Sequence, residues 1–210
     1  MAAPPKVRLN IRPDIICCDL LMDLKVLLNS YLPQSEAERE DLQRLRELAN
    51  TDDPWLRASL LHATSSALIV HPQTGRVLLR WHDRMQSWLQ VGGHADPGET
   101  DPFDIALREA REETGLQDLK AWPEPAQPRV VQIAIVPVPA GKGEPAHEHA
   151  DVRYVFATSL PDTAVPESDG ADLRWMTFDE ALSAVGEDNL RVCLVRVADL
   201  HRRLVGGTTL

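Results

Sequence analysis

Cysteine is nearly missing from this chain: three among 210 residues, at Cys17, Cys18 and Cys193. Neighbouring cysteines rarely pair with each other and no CxxC spacing occurs, so neither a disulfide framework nor a cysteine-based metal site is expected. Reduced thiols and a cytoplasmic location are the default expectation. Basic residues are also in deficit, 22 Lys and Arg against 32 Asp and Glu, for a formal net charge of -10. That balance repels polyanions, so nucleic acid and anionic membrane surfaces are not expected partners; a small anionic substrate can still bind where a metal ion screens it. A long apolar run is lacking as well. The nearest approach, residues 15–32, carries Asp19, Asp23 and Lys25, each costing about 2.5–3.5 kcal/mol near a bilayer centre. It has no small-residue cleavage site of a secretion signal either. Internal repeats are absent, and Ser65 and Ser66 lack the glycine-flanked elbow of a serine hydrolase.

What is present, 43% hydrophobic residues over this length, supports one well-buried domain with an attachment. Ile16, Leu20, Leu24, Leu27, Leu28 and Tyr31 recur at helical spacing up to Pro33. Ser35 and Glu38 read as a capping box that opens a second helix with Leu42, Leu45, Leu48 and Ala49 in one stripe. Such a helical hairpin either packs on a core or offers a dimer surface, which leaves a homodimer open. The break at 50–54 divides this extension, residues 1–53, from a core over 54–186. Strands are expected over 66–70 and 76–81 around a glycine turn, then over 88–91, 129–136, 151–158 and 173–177. Residues 137–144 form a Gly/Pro loop long enough to be mobile near a site. A short helix over 179–185 and a terminal one over 187–204, within a closing segment 187–210, complete the reading.

The most informative stretch is GGHADPGETDPFDIALREAREETGL, residues 92–116. Asp101 and Pro102 mark the start of a helix and Gly115 its end. At about 100° per residue, Phe103, Ala106, Leu107, Ala110 and Thr114 form a stripe able to pack on a sheet, while Glu109, Glu112 and Glu113 cluster on another face. On an open surface three neighbouring carboxylates cost only about 0.2–0.5 kcal/mol per pair. Held about 5 Å apart against a wall of effective dielectric about 20, each pair repels by roughly 3 kcal/mol. Such a site wants a hard cation, Mg²⁺ or Mn²⁺, sharing its shell with water and phosphate oxygens.

The double glycine, the Gly-Glu loop and Arg-Glu-Ala-Arg-Glu-Glu-Thr-Gly-Leu together resemble the signature of the Nudix (MutT-like) hydrolases. Gly93 matches its first glycine, Glu99 its isolated glutamate, Arg108 its arginine and Glu109, Glu112 and Glu113 its metal-binding glutamates; Gly115 and Leu116 close the pattern. The resemblance also implies that the carbonyl of Gly92 joins the metal. Eight residues separate Glu99 from Arg108 where the family has seven. The extra one is expected at 100–102, ahead of the helix, because an insertion inside it would rotate the glutamates apart; the role of Glu99 is then in question.

The implied fold is a Nudix-type α/β/α sandwich with a mixed β-sheet, here with an N-terminal helical hairpin. The implied activity is Mg-dependent hydrolysis of the diphosphate bond in a nucleoside diphosphate linked to another moiety. Glu112 and Glu109 are the expected general base candidates, with Glu148 and Asp151 as alternatives, and Arg108 as a further catalytic group. Trp88, His94, His149, Asp151 and Arg153 are candidate substrate contacts. His147, His149 and Asp151, with His94, are also a possible second metal or phosphate site, but a solvated loop and strand edge is the preferred reading over metal binding, since zinc sites are usually better marked. Trp81, Trp88 and Trp122 are candidates for base stacking, with core packing as the commoner use. Two rivals are a Nudix-fold ligand sensor and an isoprenyl diphosphate isomerase-like enzyme. The latter needs a cysteine at the site.

Overall fold

The computed structural model of the chain describes residues 23–141 and 143–206. Cys17, Cys18 and the opening part, 15–22, of the helix expected over 15–32 lie outside these residues. The part of that helix inside them is α1 (Leu24–Ser30), capped by Asp23, whose carboxylate accepts from the Lys25 N–H at 2.8 Å. Helix α2 (Glu36–Leu48) follows. Among the described residues no helix is long and apolar enough to cross a membrane.

Eight strands form one mixed sheet. Its spine is the parallel pair β1 (Leu61–His71) and β7 (His147–Ala157), in register from Leu61 opposite Glu148 to Val70 opposite Ala157. Each spine strand shares its outer edge between two antiparallel partners. The first half of β1 takes β4 (Val91–Gly93) and its second half β2 (Arg76–His82). Along β7 the partners are β6 (Gln132–Val138) and then β5 (Lys120–Ala121). Strands β3 (Ser87–Leu89) and β8 (Leu173–Thr177) extend the β2 side.

Both faces of the spine are covered, as parallel strands require. Odd residues of β1 and even residues of β7, among them Ala63, Ala67, Val152 and Phe156, join α1, α2 and α3 (Pro102–Thr114) in one core. On the opposite face Leu68, Val70 and Val155 meet α4 (Phe178–Ala184) and α5 (Asp188–Gly206) in a second. The arrangement is the α/β/α sandwich that the sequence implied. Strand β1 begins five residues before its expected start, because His62, Thr64 and Ser65 read as polar although all three are buried. On α3 the buried face includes Ile105 at 0% exposure, whereas Phe103 and Leu107 are only partly covered.

The helical hairpin packs on the core through Leu42, Leu45 and Leu48. Its polar residues finish the outer edge of β6, where Glu38 accepts from the Ile133 N–H (3.2 Å) and Asp41 from the Ile135 N–H (3.1 Å). Unpaired edge donors are thereby satisfied. Only half of the expected capping box forms: the Ser35 hydroxyl accepts from the Glu38 N–H, but the Glu38 carboxylate turns to Arg196 of α5, with both contacts at 2.8 Å, and to Tyr31. Arg196 is therefore an internal tie between α5 and the hairpin. Truncating one partner of a buried ion pair leaves the other uncompensated. Glu38→Ala is expected to lower the free energy of unfolding in urea by about 3 kcal/mol, while Glu36→Ala on the exposed face changes it by about 0.5 kcal/mol or less.

Candidate active site

The site is built where β4 passes between β1 and α3. Gly92 has φ +143°, and a Cβ there would lie 2.4 Å from the Ser66 Cα; a Cβ on Gly93 would lie 2.8 Å from the Glu109 carboxylate. Two bare residues let the strand press against the sheet on one side and the glutamates on the other. Helix α3 is held in phase by its ends, with the Asp101 side chain accepting from the Phe103 N–H and Gly115 closing it at φ +68°.

The Gly92 N–H donates to Glu113 at 3.0 Å, and Arg80 of β2 reaches the same carboxylate at 3.4 Å. Burial nevertheless dominates and pushes the Glu113 carboxyl up to about 7; burial also raises that of Glu109. Glu112 is more exposed, at 54% of its side chain. Arg108 organises the group: its guanidinium donates to Glu109 (3.0 Å), Glu112 (2.9 Å) and the His94 carbonyl (2.8 Å), and to Glu99 from both Nε and Nη2. Its partner Glu99 is held below the usual carboxylate range by that contact. Glu99 lies in the loop before α3 and reaches Arg108.

Glu109 and Glu113 open onto a cleft of about 840 Å³, within the range of small-molecule sites. Arg57, Arg80 and Arg84 bring positive charge to its walls, and His94, His147, His149 and Asp151 also line it. Glu144 bridges Arg57 (3.0 Å) and Arg84 (3.1 Å), and Arg84 donates to the Pro139 carbonyl at 2.6 Å. The Gly/Pro loop between β6 and β7 is thus pinned across one end of the cleft.

Several candidates sit elsewhere. Trp88 is not among the cleft residues; it packs over the second core and meets Trp81 edge-on with centroids 5.5 Å apart, so Trp81 is the tryptophan that faces the cleft. Arg153 is corrected from a surface contact to a buried prop. Its side chain is 1% exposed and donates to Asp151 (2.8 Å) and Gln132 (2.9 Å), because its stretch of β7 has passed beneath the second core. Asp151 itself accepts from Thr64 and Ser66 as well. Glu148 points to the other face of β7 and pairs with Arg44 of α2, which removes it from any role as base. Trp122 lies by the second core.

Sequence reasoning missed His62, Arg80 and Arg84. Arg80 sits in an apolar strand pattern with nothing local to mark it. His62 joins the site through the register that sets it opposite His149. Burial lowers the ring pKa of His62, takes His94 down to about 4 and His149 to about 3, so all three imidazoles are neutral at neutral pH.

Comparison with known proteins agrees with this geometry. The NUDIX domain model matches residues 60–195. A hydrolase of the NUDIX family from Clostridium perfringens is 26% identical and superposes with a TM-score of 0.51, over 66% of this chain and 97% of its own. An Ap4A hydrolase from C. elegans (17% identity, TM-score 0.53, 69% and 98% covered) shares the fold. So does the dihydroneopterin triphosphate pyrophosphohydrolase of E. coli (16%, 0.50, 66% and 95%). No curated protein matches the chain. The chain belongs to the Nudix family and is a hydrolase of the pyrophosphohydrolase kind.

Glu113 gives a test of the site's electrostatics. Its carboxyl keeps its proton to about pH 7 when folded, against 4.5 for an unperturbed glutamate. The stability this contributes is complete below about pH 4.5 and is lost as pH rises through about 7. The melting temperature of the metal-free chain is expected to fall between about pH 5 and pH 8, and Glu113→Gln should flatten that fall in calorimetry.

Proposed function

We propose that this chain hydrolyses the diphosphate bond of a nucleoside diphosphate linked to another moiety, with Glu109, Glu112, Glu113 and the Gly92 carbonyl holding Mg²⁺ or Mn²⁺. The observation that carries the proposal is the convergence of Glu109 and Glu113 on the Gly92–Gly93 backbone at the mouth of the cleft, where burial makes their negative charge unfavourable without a cation. Their oxygens suit a hard ion. Once bound, such an ion supplies charge neutralisation on the phosphates and lowers the pKa of a water.

The chain's own groups account for the rest. Arg108 fixes Glu109 and Glu112 in one orientation, and Glu99 fixes Arg108. Glu109 and Glu112 are the candidates to take the proton of the attacking water. Burial raises the basicity of Glu109, which favours it, since a base works best when its pKa approaches the ambient pH. Asp151 is a weaker candidate because Thr64, Ser66 and Arg153 occupy its oxygens. Arg57, Arg80 and Arg84 are placed to meet phosphate oxygens, and Trp81 offers a face to a base or other flat group. His94 and His149 are further substrate contacts from the cleft wall. An isomerase would need a thiol at the site; Cys193 is fully buried on α5 in the second core, where burial pushes its pKa up to about 11. A small-molecule substrate suits the cleft's size, and a cytoplasmic location suits the unpaired thiol.

A panel of nucleoside diphosphate derivatives, assayed for phosphate-ester products with and without Mg²⁺, tests the reading. Glu112→Gln and Glu109→Gln are each expected to lower kcat by about 100-fold or more while leaving the far-ultraviolet circular dichroism unchanged. A wild-type chain inactive across the panel with Mg²⁺ and with Mn²⁺ would refute it in favour of a ligand sensor.

A further inference from the structure

Four histidines from three separate segments gather at the end of the cleft: His62 on β1, His94 after β4, and His147 and His149 on β7. The ligating nitrogens of His62, His94 and His149 all lie within 4.8 Å of one another. His62 Nε2 and His94 Nε2 are 3.1 Å apart, and His147 Nε2 and His149 Nε2 are 3.2 Å apart. In a tetrahedral site with metal–nitrogen bonds of about 2.0–2.1 Å, neighbouring donors stand about 3.3 Å apart. The two short approaches are close to that spacing.

The outer nitrogens supply the second observation. His62 Nδ1 lies 2.8 Å from the Ser59 carbonyl, and His147 Nδ1 lies 2.9 Å from the Pro145 carbonyl. A carbonyl can only accept, so each Nδ1 donates to it and Nε2 is the nitrogen left to offer a lone pair inward. A backbone carbonyl that fixes the tautomer of an imidazole is the usual second layer around a metal-binding histidine. His62 is 1% exposed, and no carboxylate is hydrogen-bonded to any of the four rings among the described residues.

We propose that His62, His94 and His149, with His147 as the fourth donor, form a binding site for a borderline divalent transition metal of the Zn²⁺ class. Nitrogen donors favour Zn²⁺, Co²⁺ or Ni²⁺ over Mg²⁺, which seeks oxygen. The site is chemically distinct from the glutamate cluster in the same cleft and goes beyond the hydrolytic reading. It places a second cation in the cleft that Arg57 and Arg84 also line, where an anionic part of the substrate would meet it.

The test uses the full chain stripped of metal by a chelator and then titrated with Co²⁺. One equivalent is expected to give the intense visible absorption of a tetrahedral nitrogen site, bleached by one equivalent of Zn²⁺ and untouched by excess Mg²⁺. His149→Ala and His62→Gln should weaken Zn²⁺ binding in calorimetry by about 10-fold or more, and Glu109→Gln should leave the absorption band in place. A wild-type chain showing only the weak spectrum of octahedral oxygen coordination overturns the proposal even if the histidine variants do not fold. Zn²⁺ binding that survives His149→Ala but is lost in Glu109→Gln overturns it too. So does an absent cobalt band together with histidine resonances that shift on adding inorganic phosphate, which would assign the cluster to an anion. An inactive chain that still binds Co²⁺ at these rings would refute the hydrolytic reading and keep this one.

Discussion

Everything in the site depends on how closely backbone may approach backbone at Gly92. A side chain there would enter the space of the Ser66 backbone, and one on Gly93 would enter that of the Glu109 carboxylate. Because neither exists, β4 can pair with β1 while α3 lies directly over it. The Gly92 N–H then faces Glu113 rather than water. The glutamates are thereby set against a protein wall, in the low-dielectric setting where their mutual repulsion is large enough to demand a cation. Had the helix stood one side chain further off, the same three carboxylates would be a solvated acidic face worth a few tenths of a kcal/mol.

The second constraint is the parallel pairing of β1 with β7, strands 87 residues apart at the matched positions Ser65 and Val152. Each spine strand changes its outer partner midway, so a single face changes character along its length. On β1, Thr64 and Ser66 face the cleft with His62 buried behind its histidines, and then Leu68 and Val70 enter the second core. On β7 the corresponding passage runs from His149 and Asp151 to Arg153 and Val155. Arg153 is the residue at the changeover, too deep to meet solvent and tied to the last polar side chains above it. Its burial follows from where the sheet divides.

That division explains what could be read in advance. The bounds of helix α3 were legible because its marks are local: a capping Asp, a Pro at its first turn, a Gly at its end and glutamates at fixed spacing. What could not be read are the consequences of long-range register. His62 carries no local signal, and it matters only because parallel pairing sets it opposite His149. The early half of β1 looks like loop, since hydroxyls and a histidine are buried there only with partners supplied by β7 and α3. Glu38 misled in the opposite direction. Its spacing from Ser35 fits a capping box, but the ion pair with Arg196, 158 positions away, outcompetes the local bond. Trp88 looked placed to reach substrate because it precedes the glycine pair, yet it packs over the second core and leaves the cleft to its cross-strand partner Trp81.

Two donor sets of opposite character share one cleft. The α3 side offers carboxylate oxygens and a backbone carbonyl, groups that a hard cation prefers and that repel one another without it. The β1–β7 side offers imidazole nitrogens that burial keeps neutral, so they cost little when empty and favour a softer ion. The difference in charge decides how each set behaves with pH. Protonation of Glu113 near neutrality relieves the acidic side of its repulsion, whereas the histidine side gains nothing until the solution is far more acidic. A polyphosphate lying between them would therefore meet a cation-dependent wall on one side and guanidinium groups of fixed charge beside neutral rings on the other. Only the first of these walls needs an ion to be tolerable to an anion, which is why the glutamates, and not the histidines, bear the chemistry of the proposed hydrolysis.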